Sequence, residues 1–492
     1  MGFRRIGSLN IQQLGRGLCV ALVCFAQLAL GESDFSQVDY SLSGLGETDF
    51  RKESFSLSLF GDRYLTDGPS PDHVSTYSTL GLNYQIIADT DGKEVLFHAW
   101  GQQALDDSRE VHITVPEAYV GWSTNREEFH FGLGRRRVNW SFADQEWKLG
   151  LWQPLFKWDY LRPQEQGLIG VFLRSEINDW EVVGFASPLF LPDQGPQFTL
   201  TDGNFESGNR WFLPPQNQIE VFKNSSAIYY QLDKPRVEDV IFQSSWAFRV
   251  RKGSPESGFW LQWSTTNKPM NQLQLGLEGY HSLALTPTVG NTMAVIHTEV
   301  VHHRINTLEA GQSWDRARVW LSASEERPAE SEMPKEWDQS PLFLTRVYGA
   351  HLGHALPLPG LPNSRLSWNY IKTDEQRIQR AETEPGLVGD EMKNSMQRFP
   401  LQQGMGFRWD AQLWNTLRRR LGWTAQYIYS YPDQASWFSA TVKWGFSPRL
   451  SWHVGVDVLG VDPGPDGKID ELSAYSRYHQ NDRIVGGMTY VF

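Results

Sequence analysis

The sequence RIVGGMTYVF occupies residues 483–492, the last ten positions of the chain. Every second residue of this segment falls on one face of an extended strand. That face carries Ile484, Gly486, Met488, Tyr490 and Phe492. Alternation of this kind predicts a β-strand with one apolar face. The terminal strand of another kind of β-protein that happens to end in phenylalanine would show the same pattern.

The same period of two recurs upstream of the C-terminus. It is clearest in residues 450–458, 438–446, 421–429, 401–411 and 55–59. One face of these segments is rich in bulky aromatic and aliphatic residues, and the other is rich in Gly, Ser, Gln and Arg. A soluble β-sandwich also alternates, with its apolar face inward. Alternation therefore favours a membrane barrel only in combination with the two ends of the chain.

The N-terminal segment has the features of an export signal. Three arginines in the first 16 residues precede an apolar run at 18–30, and small residues stand at 29 and 31. This order is typical of a secretory signal peptide, and we predict cleavage after Gly31. The alternative is an uncleaved anchor, but the run is shorter than the roughly 20 residues that a spanning helix needs. Residues 32–53 are predicted to be a short periplasmic lead-in.

Composition excludes several classes of protein. The 492 residues include 21 Trp, 17 Tyr and 27 Phe, an aromatic content that suits the girdles of transmembrane barrels. Both cysteines, Cys19 and Cys24, lie in the predicted signal peptide, so disulfides and thiol nucleophiles are excluded from the mature chain. The formal net charge of -12 argues against a nucleic-acid partner.

The lengths of the connections predict the topology. Short connections are expected at 89–93, 123–126, 178–179, 415–418 and 447–448. Long connections are expected at 139–165, 188–224, 325–341, 374–400 and 461–482. Outer-membrane barrels have short periplasmic turns and long outer loops. We therefore predict an all-β protein: a transmembrane antiparallel up-and-down β-barrel of about 18–20 strands over residues 54–492.

This barrel is expected in the outer membrane of a Gram-negative bacterium, as an integral protein in contact with outer-membrane lipid. Its terminal Phe492 and Tyr490 have the appearance of the signal that such barrels present to the barrel-assembly machinery.

The segment 127–170 is the most informative for function. A strand with Phe129, Phe131 and Leu133 on one face runs into three consecutive arginines and then into an unusually aromatic connection. The aromatic residues of the connection are Trp140, Trp147, Trp152, Trp158 and Tyr160. We predict that the loop 139–165 folds into the lumen and narrows it. The alternative is an outer lid packed on itself.

Basic residues are expected on the lumen side. Those that strand parity or position assigns to the pore are Arg135, Arg136, Arg137, Arg249, Arg251, Arg316, Arg318, Arg408 and Lys443. Rings of Arg and Lys select for anions. Asp410 and Asp457 also fall on inward faces, so the alternative is a balanced wall of salt bridges.

The run FGLGRRRVNWSFADQEW, followed by QGLIGVFL, resembles large porin-like channels of Gram-negative bacteria. Among these it looks most like the alginate-export type and related barrels of polysaccharide secretion. The resemblance covers the whole chain in architecture but only about 40 residues in local pattern. It implies a basic lumen that passes an acidic saccharide, with Arg135, Arg136 and Arg137 as lumen contacts. The five aromatic residues of the loop would suit stacking on sugar rings.

Metal and cofactor chemistry are not predicted. Asp462, Asp466 and Asp470 partly follow the spacing of a calcium loop, but acids are missing at two expected positions. The pairs His302–His303 and His351–His354 have odd spacings, which place the members of each pair on opposite faces of a strand. We therefore predict no cofactor and no metal site, with the three aspartates as a weak calcium alternative.

The sequence predicts a channel for polar or anionic solutes. The resemblance implies the outer-membrane barrel of a polysaccharide export system, with a periplasmic export partner. One alternative is a general nutrient porin. Another is a plugged barrel that docks a periplasmic partner. An outer-membrane enzyme is least favoured, because no Ser/His/Asp set can be assembled near the outer rim.

Overall fold

A computed structural model describes the chain from residue 50 to residue 492, with gaps. The gaps are 69–72, 91, 108–109, 125–127, 222–223, 283–290, 359–360, 362, 378–397, 416–419, 465–466, 468 and 470. The predicted signal peptide, most of the predicted lead-in, Asp466 and Asp470 lie outside the described residues.

Eighteen antiparallel strands form one closed sheet. In chain order they are β1 (Phe50–Tyr64), β2 (Thr76–Thr90), β3 (Lys93–Ala104), β4 (Val111–Ser123), β5 (Phe129–Arg136), β6 (Leu168–Ile177), β7 (Trp180–Ser187), β8 (Ser245–Ser254), β9 (Ser257–Pro269), β10 (His302–Ser313), β11 (Ala317–Pro328), β12 (Phe343–Ala355), β13 (Asn363–Arg377), β14 (Gln403–Asn415), β15 (Arg420–Ser430), β16 (Ala435–Gly445), β17 (Leu450–Val461) and β18 (Arg483–Val491).

The terminal strands close the barrel. β18 pairs with β1 from Val491 opposite Ser56 to Arg483 opposite Tyr64. The Phe492 backbone N–H donates to the carbonyl of Phe55 at 2.9 Å, and the two rings lie 5.1 Å apart between centroids. Closure leaves no free sheet edge, so every strand of the wall has a partner on both sides.

The bulky face of the strands points away from the barrel interior. In β1, Leu57 and Leu59 are exposed while Ser56 and Ser58 are buried. The same division holds in β5, where Phe129, Phe131 and Leu133 are exposed. A soluble sandwich would show the reverse arrangement. The predicted all-β up-and-down barrel is confirmed, and its 18 strands lie within the predicted range.

Connections of different length separate to the two ends of the barrel. Turns on the side of the chain termini are short, as at 178–179, 255–256 and 314–316. The opposite side carries 137–167, 188–244, 270–301, 329–342, 378–402 and 462–482. By the rule that outer loops are the long ones, this second side faces outward from the cell.

The outer side carries secondary structure of its own. Five strands form an outer sheet: Gln218–Val221, Asn224–Leu232, Asn291–Glu299, Gln274–Ser282 and Asp338–Gln339. Two hairpins pair Thr199–Thr201 with Asn204–Glu206 and Leu155–Phe156 with Gln164–Glu165. Short helices are α1 (Phe142–Trp147), α2 (Val237–Ile241) and α3 (Ala474–Arg477). The predicted long connection 188–224 therefore continues to residue 244, and the sequence analysis did not anticipate the outer sheet.

In the part of the chain that the structure describes, no helix has both the length and the apolar character to span a membrane. The closed sheet presents its aliphatic and aromatic side chains outward and its small polar ones inward. In lipid every backbone polar group must be satisfied internally, which a closed barrel achieves. The closed sheet with its outward apolar face is the arrangement of an integral membrane β-barrel.

Candidate functional site: the barrel lumen

Residues 137–167, which we call the lumen loop, leave the wall part-way along the barrel. Arg135 of β5 pairs with Ala118 of β4, and from there β4 continues outward to Val111. β5 itself ends at Arg136, so the chain turns inward below the outer rim. The carbonyl of Trp140 then accepts hydrogen bonds from Gln262 and Ser264 of β9, at 3.1 and 2.8 Å. The loop is thus held against an inner wall several strands away from β5.

A buried wall carboxylate holds the first turn of α1. Glu309 of β10 is 1% exposed and accepts from the backbone N–H of Phe142 at 2.9 Å and of Ala143 at 3.3 Å. It also accepts from the Ser141 hydroxyl at 2.8 Å. Ser141 caps the helix in turn by accepting from the N–H of Asp144 at 3.2 Å. Free N–H groups at a helix start need acceptors, and here the barrel wall supplies them.

Asp144 stabilises the first half of the lumen loop, which contains Trp140, Trp147 and Trp152. Its carboxylate accepts from the backbone N–H groups of Leu151 and Trp152, at 2.9 and 3.1 Å. Burial raises the pKa of Asp144 from 3.8 to about 7, because desolvation penalises the charged form. Trp152 stacks on Trp140 with 5.6 Å between ring centroids, and both rings are 1% exposed. This half of the loop is a small hydrophobic core inside the barrel.

The second half of the loop reaches the wall near the barrel closure. Arg162 forms a bidentate pair with Asp457 of β17 at 2.6 and 2.7 Å. Arg483 of β18 donates to the same carboxylate at 2.8 Å and also pairs with Asp159 of the loop. Bidentate guanidinium–carboxylate pairs are strong and directional. The lumen loop is therefore fixed to the wall on both sides of the barrel.

A cavity of about 190 Å³ remains between the second half of the loop and the wall. Three arginines and two aspartates border it: Arg162, Arg210, Arg483, Asp62 and Asp159. Aromatic side chains complete the lining, namely Phe60, Tyr64, Tyr77, Trp100, Phe156, Trp158 and Trp211. The cavity thus combines charged groups with flat apolar faces. Such a lining can hold a small polar solute by its charges and pack against its apolar part.

A second basic group lies on the inner wall nearer the periplasmic turns. Glu181 of β7 accepts salt bridges from Arg174 at 2.8 Å, Arg249 at 2.8 Å and Arg251 at 2.5 Å. Arg249 also donates to the Asn139 carbonyl of the lumen loop. Arg174 also pairs with Glu176 on the same face. Three guanidinium groups against two carboxylates leave one positive charge in excess at this position.

The arginines at the start of the loop differ in their surroundings. Arg136 makes a bidentate pair with Glu94 at 2.9 and 3.0 Å and lies over the Tyr119 ring at 4.4 Å. Arg137 pairs with Glu117 at 2.7 Å. Arg135 donates instead to the backbone carbonyls of Val115 and Gly167, at 2.7 and 3.0 Å. Its guanidinium therefore links β4 to the end of the lumen loop, close to the point where β5 ends.

The other predicted pore residues are spread around the wall. Arg408 pairs with Asp410 at 2.8 Å, and Lys443 stands opposite His453 in the sheet register. Arg318 donates to the Pro255 carbonyl at 3.0 and 2.6 Å. Arg316 lies in the exposed turn between β10 and β11. The structure brings Arg249 and Arg251 together but does not join these four to them.

The predicted stacking aromatics divide into two groups. Trp140, Trp147 and Trp152 are buried in the loop core, where protein atoms cover their faces. Trp158 borders the cavity. Tyr160 packs against Tyr478, with 4.9 Å between the ring centroids. Of the five, Trp158 has the best placement to meet a solute.

Several lumen residues were missed in the sequence analysis. Arg174 follows Leu173, which is exposed on the outside, so parity could have assigned Arg174 inward. Arg483 precedes the exposed Ile484 in the same way. Arg210 lies in an irregular stretch of an outer loop, where no periodic signal exists. Glu309 was identifiable as inward, but nothing in the sequence links it to Ser141.

Among the described residues no group of three or more His, Asp, Glu or Cys side chains could hold a metal ion. Asp462, the described member of the weak calcium alternative, is exposed at the end of β17. His303 faces inward and bonds Glu326, whereas His302 contacts the Ser244 carbonyl at 3.2 Å. The two neighbours thus engage different parts of the wall.

No protein-family model matches the chain, and no curated protein matches it. Solved barrels resemble it in shape. OccK2 (OpdF) of Pseudomonas aeruginosa, in complex with glucuronate, has 9% identity and a TM-score of 0.45, covering 90% of this chain and 98% of that one. A BenF-like porin from Pseudomonas fluorescens Pf-5 has 7% identity and a TM-score of 0.44, covering 90% and 98%. OccAB2 of Acinetobacter baumannii has 9% identity and a TM-score of 0.41, with the same coverage.

Proposed function

We propose that this barrel is an outer-membrane channel for small polar solutes, with a preference for anions, and not an enzyme. The observation that carries the proposal is the excess of arginine on the inner wall beside the lumen loop. Five arginines there face four glutamates. They are Arg136, Arg137, Arg174, Arg249 and Arg251, against Glu94, Glu117, Glu176 and Glu181. Basic groups lining a pore lower the barrier for anions and raise it for cations.

The lumen loop supports small solutes over a polymer. It is tied to β10 through Glu309 and to β17 through Arg162, so it crosses the lumen. One cavity between it and the wall has a volume of about 190 Å³. The polysaccharide-export hypothesis would require the whole loop to leave both walls before a chain could pass. A nutrient porin needs no such displacement, and we favour it for that reason.

Ion selectivity in planar bilayers tests the proposal. Under a tenfold KCl gradient, the reversal potential of the wild-type channel should have the sign of an anion-selective pore. The double substitution Arg249→Gln and Arg251→Gln should move that potential toward zero. Arg327→Gln removes one positive charge from the outer surface of the barrel and serves as the control.

Two results would count against the channel. One is a folded barrel that conducts no ions in the wild type or in a variant with a loosened loop, which would favour the docking alternative. The other is a reversal potential that responds equally to Arg327→Gln and to the lumen pair. Liposome swelling separates the two transport hypotheses: monosaccharide-sized anions should enter, and oligosaccharides should not.

A further inference from the structure

The outside of the barrel changes character near the outer ends of β10 to β13. Toward the middle of these strands the outward positions are apolar, with Leu308, Leu321, Leu352 and Leu366 exposed. Toward their outer ends the outward positions become basic. These positions hold Arg304, Arg327, Arg346 and Lys372, which we call the basic patch. The patch therefore lies immediately outside the lipid-facing apolar band.

Parity shows that the basic patch faces outward. Arg304 stands between His303 and Ile305, which point toward the lumen and are 2% and 0% exposed. Arg327 follows the buried Glu326, and its own side chain is 67% exposed. Alternate residues of a strand point to opposite faces, so both guanidinium groups leave the wall on the lipid side.

The register places two of these charges side by side. Arg304 of β10 is directly opposite Arg327 of β11. Side chains opposite each other on neighbouring strands start about 5 Å apart, and like charges in that position repel. Asn267 of β9 and the exposed Trp246 of β8 extend the same row. The row thus joins an interfacial tryptophan to a pair of arginines.

The acids in this region do not balance the patch. Glu325 pairs with Arg346 at 3.0 Å and is 3.6 Å from Arg327, and Asp374 pairs with Lys372 at 2.8 Å. Four basic groups thus share two carboxylates. Among the residues that the structure describes, the side chain of Arg304 has neither an ion pair nor a hydrogen bond. An anion at Arg304 and Arg327 would remove the repulsion between them.

We propose that the basic patch binds the phosphate of an anionic lipid head group in the outer leaflet. Guanidinium groups recognise phosphate oxygens through paired hydrogen bonds, and two of them can hold one phosphate between adjacent strands. The acyl chains of the same lipid would extend from the patch along the apolar band that includes Leu308 and Leu321. Trp246 stands at the interface, where its ring is stable between head groups and chains. This site is on the outside of the wall and is independent of the solute that the lumen carries.

The chain offers a matched control. Arg63 also faces outward at the outer end of its strand, β1, with Thr76 and Ile484 as its register partners. It is exposed and basic, but it has no second basic residue opposite it. A general attraction between the barrel and anionic lipid would involve Arg63 and the patch alike, whereas a specific phosphate site would involve the patch alone.

The test is lipid binding to the full, folded barrel in neutral-detergent micelles, measured by native mass spectrometry with bisphosphorylated lipid A. Exchanging the two facing arginines of the patch (Arg304→Ala with Arg327→Ala) should weaken binding about thirty-fold. Arg63→Ala should change it less than twofold. The charge-conserving pair Arg304→Lys with Arg327→Lys should bind more tightly than the alanine pair but less tightly than the wild type, because lysine keeps the charge and loses the paired hydrogen bonds. It serves as the folded variant if the alanine pair fails to assemble.

Two further probes identify the ligand chemistry. Lipid A without its phosphates should bind the wild type as weakly as the phosphorylated lipid binds the alanine variant. Millimolar inorganic phosphate should not displace the lipid, because it lacks the acyl chains. Equal affinity of wild type and alanine variant, an equal loss in Arg63→Ala, or full binding of the dephosphorylated lipid would overturn the proposal. Efficient displacement by inorganic phosphate would overturn the lipid in favour of a free anion.

Discussion

At the scale of single residues, Glu309 fixes the start of α1 to the barrel wall, and the sequence analysis did not predict this contact. Its two carboxylate oxygens receive the N–H groups of Phe142 and Ala143 and the hydroxyl of Ser141. A buried donor that loses its acceptor retains the full cost of leaving water. The alternation of β10 could assign Glu309 to the lumen. It could not show which distant segment would use it, because that depends on where the loop crosses.

Glu309→Gln should therefore weaken the attachment of the loop without removing the side chain. One acceptor oxygen becomes an NH2 group that faces backbone donors, so we expect a loss of about 1–3 kcal/mol in unfolding free energy. We also expect larger and noisier single-channel currents in planar bilayers, because α1 loses its support. Urea titration of the folded barrel gives the first quantity.

The control for this variant is Glu325→Gln on the next strand, where the carboxylate is outside the barrel. Exposed ion pairs contribute little, so its stability should change by less than about 1 kcal/mol and its conductance should not change. Wild-type stability and wild-type currents in Glu309→Gln would show that the loop does not depend on this carboxylate.

At the scale of elements, the stability of the packed lumen loop is expected to depend on pH. Burial favours the neutral form of Asp144 and raises its pKa from 3.8 to about 7. A carboxyl with a raised pKa stabilises the packed state fully below its unfolded value and loses that contribution as the pH rises through the folded value. The packed loop should therefore be most stable below pH 3.8 and lose stability up to a pH of about 7.

Single-channel recording at pH 5 and pH 8 can measure this response. Openings that reflect an undocked loop should be at least about tenfold more frequent at pH 8 in the wild type, since one pKa unit corresponds to tenfold. Asp144→Asn cannot ionise, so its opening frequency should depend much less on pH, whatever its absolute level. A wild-type frequency that falls from pH 5 to pH 8 would contradict the assignment.

The barrel strands were predicted better than the strands of the outer sheet, because the two-residue alternation of apolar residues is the same in both. Strands such as β16 and β17 alternate over their full length, and their neighbours follow directly in the chain, so both their existence and their pairing were accessible. The strands Gln274–Ser282 and Asn291–Glu299 alternate in the same way but pair in the outer sheet. A period of two shows that one face is buried. It does not show whether lipid or another loop covers the other face.

At the scale of the whole molecule, the decisive property is which face of the sheet meets lipid. Leu321 in the middle of β11 is 62% exposed, and Val237 of α2 in an outer loop is 66% exposed. In water the two positions would tolerate arginine equally, because each is equally open. In an outer membrane they differ, because Leu321 is expected at membrane depth and Val237 outside it.

Leu321→Arg should cost about 2–4 kcal/mol of unfolding free energy in phospholipid vesicles, and Val237→Arg about 0–1 kcal/mol. The difference between the two costs depends on the lipid, so both variants should also be measured in detergent micelles. There the difference should shrink, because a micelle deforms around the charge more easily than a bilayer. Equal costs in vesicles would mean that the exposed aromatic and aliphatic face does not lie against hydrocarbon. The lumen, its arginines and the lipid site on the outer wall would then all need a different explanation, since each assumes that this face is outside.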